Sequence, residues 1–381
     1  MFTTPFTFGK IATGDDFTDR ERESERIKQN LSSGVNTILI SPRRWGKSSL
    51  IHKVANSCQN DRTIRFCFID LFNIRTEQEF YESLIRQLIR VTATKWEDRI
   101  KQAKKFFKKI IPRFSVGLDP NSEFSVSLDW KEIQKAPEEI LDLAENIAKT
   151  KKIRIILCID EFQNVAFFED PLAFQKKLRA HWQHHQHATY CMYGSKRHML
   201  IELFSSPSMP FYKFGDTIFL EKIPTNYWIK FIVARFKDTN KTISPGQAGH
   251  IADLMENHPY FVQQLAQTVW FRTEKNCTEK IIADAIESLL TQHSILFQRE
   301  IDQLTNSQIN FLKALCDDVR QLSSQKVIAE YRLGSSSNVN IIKTALEKKE
   351  IIDSPTPGIN FIDPLFKLWL KNIYFKDARH F

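Results

Sequence analysis

The chain has 381 residues and a mass of 44.6 kDa, which is too long for one ordinary hydrophobic core and predicts two or three domains. Hydrophobic residues at 42% and charged residues at 26% are typical of globular proteins and exclude a disordered or fibrous chain. The formal net charge of +9 permits an anionic partner but, over so long a chain, does not by itself indicate a nucleic-acid-binding protein.

Two further features bear on the location of the protein. The stretch 1–9 lacks the basic start and apolar run of a signal peptide, and no apolar run approaches the ~18 residues of a membrane-spanning helix. The six cysteines form no C-x-x-C pair and are predicted to be reduced core thiols. They are Cys58, Cys67, Cys158, Cys191, Cys277 and Cys316. These features predict a cytoplasmic protein.

The first half of the chain alternates between short apolar runs and helical patterns. The predicted strands are residues 37–40, 65–70, 153–159, 188–193 and 215–220. Predicted helices follow the first two strands, over residues 48–58 and 79–91. Such alternation indicates βαβ units around a parallel sheet with helices on both faces, which is an α/β fold.

The second half of the chain is predominantly helical. A helical pattern runs from Tyr227 through Phe297, and from Thr305 three short helices and two strands follow, which is the plan of a winged helix. We therefore predict a core domain over residues 1–222, an all-α lid over 223–300 and a winged-helix domain over 301–381.

An insertion interrupts the predicted core at residues 95–136. Its first part is a basic amphipathic helix that ends at Pro112. Its second part alternates apolar and polar residues on both sides of a turn at residues 119–122, which predicts a β-hairpin.

A phosphate-binding pattern follows the first strand. The pattern G-x-x-x-x-G-K-[ST] aligns from Ser41 to Ser48, with Ser41 in place of the first glycine. In such a loop Lys47 neutralises the β- and γ-phosphate oxygens, and the Ser48 hydroxyl coordinates Mg²⁺. Pro42 favours an extended backbone at Ser41 that needs no glycine, whereas Gly46 is retained where phosphate approaches the backbone. The predicted nucleotide-binding residues here are Ser41, Arg43, Arg44, Trp45, Gly46, Lys47, Ser48 and Ser49.

A second candidate element ends the strand at residues 153–159. Asp160 and Glu161 follow it directly, at the sheet edge where ligands of open α/β sheets bind. Asp160 would hold the Mg²⁺ shell, and Glu161 would orient or deprotonate the attacking water. An acidic strand end is common in isolation, but together with the loop at Lys47 it predicts a P-loop ATPase with ATP and Mg²⁺ as cofactors.

The chain as a whole resembles the archaeal-type P-loop ATPases of the AAA+/STAND branch, which are relatives of origin-recognition initiators. Residues 41–50 are similar to the family's G-P-R-R-x-G-K-[ST]-S-L loop except at Ser41. Residues 17–23 look like the box that lines the adenine side, with Arg20 as a matched residue. Residues 363–370 are similar to the D-P-hydrophobic-aromatic-x-x-W closing signature. The resemblance implies a P-loop core, a helical lid and a C-terminal winged helix.

The resemblance also implies further site residues. Ser195 matches the family's polar sensor, and Arg197 is a candidate γ-phosphate-sensing arginine, with an ordinary surface charge as its alternative. Pro259 lies where the lid contacts the base and is predicted to bind the nucleotide. Arg43 and Arg44 either reach a phosphate or a neighbouring subunit, or pair with acids beside the loop.

Four histidines, His181, His184, His185 and His187, raise the alternative of a metal site. The first three are predicted to share one face of a helix. Because no carboxylate or thiol lies nearby in the sequence to complete the ligand set, a polar helix surface is favoured.

The sequence is compatible with two classes of process that ATP hydrolysis could drive. One is a STAND-type switch whose output is assembly with a protein partner or as a homo-oligomer. The other is an initiator- or transposition-type ATPase that acts on double-stranded DNA through the winged helix and the basic insertion. The near charge balance from Thr305 onward favours the first, and the basic helix over 95–109 favours the second. The candidate recognition helix, 335–349, offers Ser336, Asn338, Asn340 and Lys343 for DNA contacts.

Overall fold

The computed structural model describes residues 4–92, 113–115, 125–354 and 358–377. The chain divides into two compact units. One unit is Arg20–Glu221, and the other combines Met1–Asp19 with Lys222–Phe381. The N-terminal stretch therefore belongs with the C-terminal half of the chain, while the phosphate loop and the acidic strand end fall in one and the same unit.

The unit Arg20–Glu221 is built on a parallel β-sheet. Its strands are β1 Thr37–Ile40, β2 Ile64–Asp70, β3 Arg113–Ser115, β4 Ser125–Ser127, β5 Arg154–Asp160, β6 Ala188–Gly194 and β7 Asp216–Phe219. Five of them form the sheet, in the order β2-β5-β6-β1-β7, and every pairing is parallel. Strands β1 and β6 are buried at every position, as expected for interior strands covered on both faces. The predicted α/β fold is confirmed.

Helices cover the sheet of this unit. They are Glu21–Ser33, Lys47–Ser57, Glu77–Thr92, Trp130–Lys135, Glu138–Leu141, Leu143–Lys151, Pro171–Trp182 and Arg197–Ser205. Aromatic residues fill the space between helices and sheet; for example, Trp182 stacks on Tyr190 of β6 with ring centroids 4.1 Å apart. The abundance of phenylalanine in the sequence is thus used in the core, where Phe80 contacts Phe174 edge to face at 5.2 Å.

Part of the predicted insertion is described. Strands β3 and β4 pair antiparallel, with Phe114 opposite Val126, so the predicted hairpin pairing is confirmed at these residues. The predicted basic helix over residues 95–109 and the turn at 119–122 lie outside the described residues.

The second unit contains the short 3-10 segment Gly14–Asp16 and, after Lys222, a series of helices. These are Thr225–Lys237, Pro245–Leu254, Pro259–Arg272 and Glu279–Asp302, followed by Asn306–Cys316, Gln325–Glu330 and Ser336–Lys348. Strands β8 Ile352–Asp353 and β9 Asn360–Phe361 then pair antiparallel. Three helices followed by a two-stranded wing confirm the predicted winged helix. The chain closes with Pro364–Trp369, a π-helical segment Leu370–Tyr374, and Phe375–Asp377.

The closing signature, residues 363–370, contributes a helix cap and a buried tryptophan to the winged-helix end of the chain. The carboxylate of Asp363 caps the helix Pro364–Trp369 by accepting from the backbone N–H groups of Leu365 (2.8 Å) and Phe366 (3.0 Å). Trp369 is buried and donates its indole N–H to Ser294 Oγ at 3.0 Å, on the long helix Glu279–Asp302. The aspartate and the tryptophan of the signature are thus both explained by local structure.

The structure bears on the predictions made for the cysteines and for membrane-spanning helices. All six cysteines are buried and unpaired, as predicted. Among the described residues, none of the helices has the length and apolarity that crossing a membrane requires.

Candidate functional site

The loop between β1 and the helix Lys47–Ser57 depends on left-handed backbone. Gly46, immediately before the helix, has a φ of 88°, and Arg44 has a φ of 63°. Glycine adopts such a conformation without the steric cost that a Cβ brings. Ser41 is buried and is not among the described residues with positive φ, which agrees with its needing no glycine. The loop opens directly into a helix N-terminus, whose unpaired N–H groups favour anions.

Lys47 is buried at the start of this helix. Its Nζ donates to the carbonyl oxygens of Ser41 (3.1 Å) and Pro42 (2.7 Å) and to Ser41 Oγ (3.3 Å). Burial lowers the pKa of Lys47 to about 8, although the carboxylates of Glu161 and Asp160 oppose the shift. Because a buried ammonium is poorly solvated, an anion that reached it would stabilise its charge.

The phosphate loop meets the acidic strand end through one hydrogen bond. Ser48 Oγ donates to Asp160 Oδ2 at 2.9 Å, although the two residues are 112 positions apart in the chain. Strand β6 lies between β1 and β5, so this contact reaches across one intervening strand. The strands are parallel, and their carboxyl ends therefore share one edge of the sheet. The structure thus brings together the two elements that the sequence analysis singled out.

The Asp160 carboxyl group has a perturbed acidity. Burial raises the pKa of Asp160 to about 6, and the charges of Glu161 and Asp70 raise it as well, whereas hydrogen bonds from the Ser48 hydroxyl and the Glu161 N–H act against the rise. Asp70 ends β2 as the register partner of Asp160 in β5. A bound divalent cation would relieve this crowding of carboxylates, and oxygen ligands are those that Mg²⁺ prefers.

We expect Mg²⁺-dependent activity to weaken below about pH 6. The pKa of Asp160 in the folded protein, about 6, lies above the ordinary aspartate value of 3.8, so folding disfavours the ionised form and protonation competes with the cation as pH falls through 6. The apparent dissociation constant for Mg²⁺ should rise by up to about tenfold for each unit by which the pH falls in this range. Titrations of ATPase activity with Mg²⁺ at several pH values measure this dissociation constant. A value that does not change with pH would contradict the prediction.

Glu161 lies beside Ser195 at the same edge. Its backbone is left-handed, with a φ of 52°, at the turn from β5 into the 3-10 segment Phe162–Phe167. Its Oε2 accepts hydrogen bonds from Ser195 Oγ at 2.9 Å and from the Ser195 N–H at 3.4 Å. Gln163 Nε2 donates to the same oxygen. Ser195 directly follows β6, the neighbour of β5, which explains why the predicted sensor and the predicted base are adjacent.

Arg20 and Arg197 are placed in the same unit, and their contacts are within the protein. The buried Arg20 guanidinium donates to Glu23 Oε1 at 3.0 Å and to the Glu221 carbonyl at 2.5 Å. Arg197 begins the helix Arg197–Ser205, and its guanidinium lies 5.9 Å from the centre of the Phe219 ring. The nucleotide roles of both arginines remain predictions.

The remaining predicted residues fall in two places. Ser49 is buried in the first turn of the helix Lys47–Ser57, and Arg43 and Arg44 are exposed in the loop. Trp45 is half-buried beside them. Pro259 begins the helix Pro259–Arg272 of the second unit, and its contact with a base also remains a prediction.

Two residues of this edge were not singled out by the sequence. Asp70 ends β2 just as Asp160 ends β5, so an acid at the end of a buried strand was the available signal. Gln163 gave no such signal, because its contact with Glu161 depends on the turn after β5.

The expected helical histidine face is wrong. His181 lies in the helix Pro171–Trp182, but this helix ends before His184 and His185, and His187 immediately precedes β6. The histidines therefore point from a helix end and a turn rather than from consecutive helical positions. The chain leaves the helix here because it must enter β6 at Ala188.

The sequence offers no carboxylate close to these histidines, but the fold brings two to them. Asp142 Oδ1 is 2.8 Å from His181 Nδ1 and 3.0 Å from His185 Nε2, and Glu145 Oε1 is 2.8 Å from His187 Nδ1. Both acids come from a distant segment at and within the helix Leu143–Lys151, which the sequence could not place. Across the residues that the structure describes, no group of three or more histidine, cysteine or acidic residues is arranged to hold a metal ion.

The residues at the carboxyl edge suit a nucleotide and a divalent cation. The Ser48 hydroxyl and the Asp160 carboxylate, already 2.9 Å apart, supply the hard oxygen ligands that Mg²⁺ requires. The buried Lys47 ammonium and the helix N-terminus supply positive charge for phosphate oxygens. The donor set therefore fits the cofactors expected from the sequence.

Two family models match the chain. Residues 17–255 match the family described as "ATPase domain predominantly from Archaea", which is more than half of the chain. Residues 295–372 match the family described as "Probable winged helix domain". No curated protein matches the chain.

Two of the solved structures that align with the chain share its fold. The Walker-type ATPase PABY2304 of Pyrococcus abyssi aligns with a TM-score of 0.63 at 18% identity, covering 94% of this chain and 97% of that one. The ORC2 protein of Aeropyrum pernix, solved as ADPNP-ADP complexes, aligns with a TM-score of 0.54 at 12% identity, covering 95% and 96%. At these identities the likeness shows the fold.

Proposed function

The chain belongs to the family of ATPase domains found predominantly in Archaea, and we propose that it is an ATP-driven molecular switch of the AAA+/STAND type. The observation that carries the proposal is the hydrogen bond between Ser48 Oγ and Asp160 Oδ2 at 2.9 Å. It joins the phosphate loop to the acidic strand end, which is the juxtaposition that metal-assisted hydrolysis of a nucleoside triphosphate needs.

In this proposal the loop binds the phosphates, and the acidic strand end helps to bind the metal. Lys47 would donate to phosphate oxygens in place of the Ser41 and Pro42 carbonyls that it contacts in this structure. Ser48 and Asp160 would hold Mg²⁺, which when bound neutralises charge on the β- and γ-phosphates. Arg43 and Arg44 add positive potential at the loop.

Glu161 is the proposed base that orients and deprotonates the attacking water. It follows Asp160 directly, so it lies beside the residue that holds the metal, and its contact with Ser195 at 2.9 Å fixes one of its carboxylate oxygens. A carboxylate in this position would accept the water proton as the water oxygen bonds to the γ-phosphorus, while the bond from that phosphorus to the β–γ bridging oxygen breaks and ADP leaves.

The proposed output is a change of conformation in the helical segment and the winged helix that leads to protein assembly. The exposed face of the helix Ser336–Lys348 supports a protein partner or a second copy of the chain. Its exposed members are the uncharged Ser336, Ser337, Asn340, Ile341 and Thr344, together with Lys348 at its last position, and Ile341 is 66% exposed. Asn338, an expected DNA contact, donates its amide to the Leu333 carbonyl at 2.7 Å. Among the residues of this helix Lys348 is the one exposed charge, so the face supplies little of the positive potential that attracts a phosphate backbone.

Duplex DNA is the alternative partner, acting through the winged helix and the basic insertion. We expect ATP turnover to change less than about twofold when duplex DNA is added at about 50 mM salt and again at about 200 mM salt. Polyglutamate at matched charge controls for non-specific anion effects, and sedimentation with and without ATP measures assembly. Turnover that DNA stimulates at low salt and not at high salt, with no nucleotide-dependent oligomer, would replace the switch by the DNA-associated ATPase.

A further inference from the structure

Gln163 is a buried polar residue next to the proposed base. It lies in the 3-10 segment Phe162–Phe167, two positions after Glu161, and is only 1% exposed. Its Nε2 donates to Glu161 Oε2. The contact links a residue of no assigned role to the carboxylate that the proposed mechanism depends on.

Glu161 Oε2 is held from two directions. Gln163 approaches it from the turn after β5, and Ser195 approaches it from the end of β6 with both its hydroxyl (2.9 Å) and its backbone N–H (3.4 Å). These hydrogen bonds all end on one oxygen of the carboxylate. A carboxylate so bound loses its freedom to rotate, and its second oxygen, Oε1, is left available to a water molecule.

The position of the Gln163 side chain is fixed by close packing against Gly194. A Cβ added at Gly194 would lie 1.9 Å from Gln163 Oε1 and 3.3 Å from Glu161 Cα. Real side chains do not approach so closely, so a Cβ at position 194 would force the Gln163 amide to move from the place it has in this structure. The last residue of β6 therefore sets the place of the amide, and the next residue, Ser195, supplies the other donors.

The Gln163 amide has no evident role in packing alone. Its Oε1 is buried and has no hydrogen-bond partner within the part of the chain that the structure describes. Burying such an oxygen disfavours folding, and an apolar side chain of the same shape would avoid that penalty. The benefit of an amide at this position must therefore come from its N–H group, which is the group that Glu161 uses.

We propose that Gln163 is a positioning residue for ATP hydrolysis, acting by fixing Glu161 Oε2 so that Oε1 faces the attacking water. The inference rests on the proposed role of Glu161 as the base. Without the amide, the Glu161 side chain is held by Ser195 alone and spends less time in the reactive orientation. The loss falls on the chemical step, because the buried Gln163 amide acts on the proposed base and has no proposed contact with the nucleotide.

The primary test compares Gln163→Met with a matched control, Gln175→Met. Gln175 lies in the helix Pro171–Trp182, is also 1% exposed, and also has a buried Oε1 without a partner among the described residues, but it has no contact with Glu161. We expect kcat of Gln163→Met to fall about 10- to 100-fold, the range typical of residues that orient a reactive group. Its affinity for a fluorescent ATP analogue and its Tm should stay near those of the wild type. Gln175→Met should keep its kcat.

A second comparison separates this inference from the proposed function. In a Glu161→Gln background, adding Gln163→Met should cost no further turnover, because the group that Gln163 positions is already inactive. If Glu161→Gln alone keeps full turnover, the assignment of the base fails. If Glu161→Gln loses turnover while Gln163→Met keeps the wild-type kcat, or if the losses multiply, the role of Gln163 is refuted.

A third variant covers the case in which Gln163→Met does not fold. Gly194→Ala leaves the Gln163 amide in the sequence but places a methyl group where its Oε1 lies. It should lower kcat without a matching loss of nucleotide affinity. A folded Gly194→Ala protein with wild-type kcat would overturn the inference.

Discussion

Lys47→Ala should bind ATP so weakly that no binding is detected at micromolar concentrations. The side chain is buried at the start of the helix that opens from the phosphate loop, where no water can replace its charge. Removing one partner of a buried, hydrogen-bonded charge pair costs about 2–5 kcal/mol, or roughly 30- to 5,000-fold in affinity. Titration calorimetry measures the effect directly.

The matched control for this variant is Lys53→Ala, on the same helix. Lys53 is half-buried at the surface, with its Nζ 3.9 Å from Glu21 Oε1, so replacing it by alanine changes the charge of the helix outside the phosphate loop. Lys47→Ala should remain folded, because burial already lowers the pKa of Lys47 to about 8 and folding thus disfavours its charged form. Unchanged ATP affinity in folded Lys47→Ala would remove the loop from the nucleotide site.

Glu161→Gln should bind ATP normally and fail to hydrolyse it. The amide keeps the shape of the side chain but cannot accept a proton from the attacking water. The loss of a general base lowers turnover by about 10²- to 10⁴-fold. The protein should therefore accumulate with ATP bound, which single-turnover assays and analysis of the retained nucleotide will measure.

Glu169→Gln is the control for that substitution. Glu169 is exposed beyond the turn after β5 and lies outside the proposed machinery, so its removal should leave turnover unchanged. If Glu161→Gln releases ADP at the wild-type rate, another group must activate the water.

The local parts of the fold were predictable from sequence because burial on both faces leaves an unbroken apolar run. Strand β6 is buried at each position and was predicted to within one residue. The phosphate loop was recognisable because Gly46 and Lys47 must stand together at a helix start. In both cases the residues that determine the local structure are adjacent in the sequence.

Contacts between distant segments were not predictable in the same way. The order β2-β5-β6-β1-β7 places Asp70 beside Asp160 and Ser195 beside Glu161, and no single stretch of sequence contains that order. The same holds for Asp142, which reaches His181 and His185 from an earlier segment. The Gln163 contact was missed for a different reason: it arises from a left-handed residue at Glu161, a conformation that sequence patterns seldom reveal.

The position of β6 between β1 and β5 also sets the distance between these two strands. Strands β1 and β5, which lead into the phosphate loop and the acidic pair, lie two strand spacings apart, about 9–10 Å, and that distance is set by peptide hydrogen bonds on both sides of β6. Backbone geometry is the same whichever apolar side chains line the sheet. Core residues of this unit can therefore be exchanged for others of similar volume while the distance between β1 and β5 stays constant.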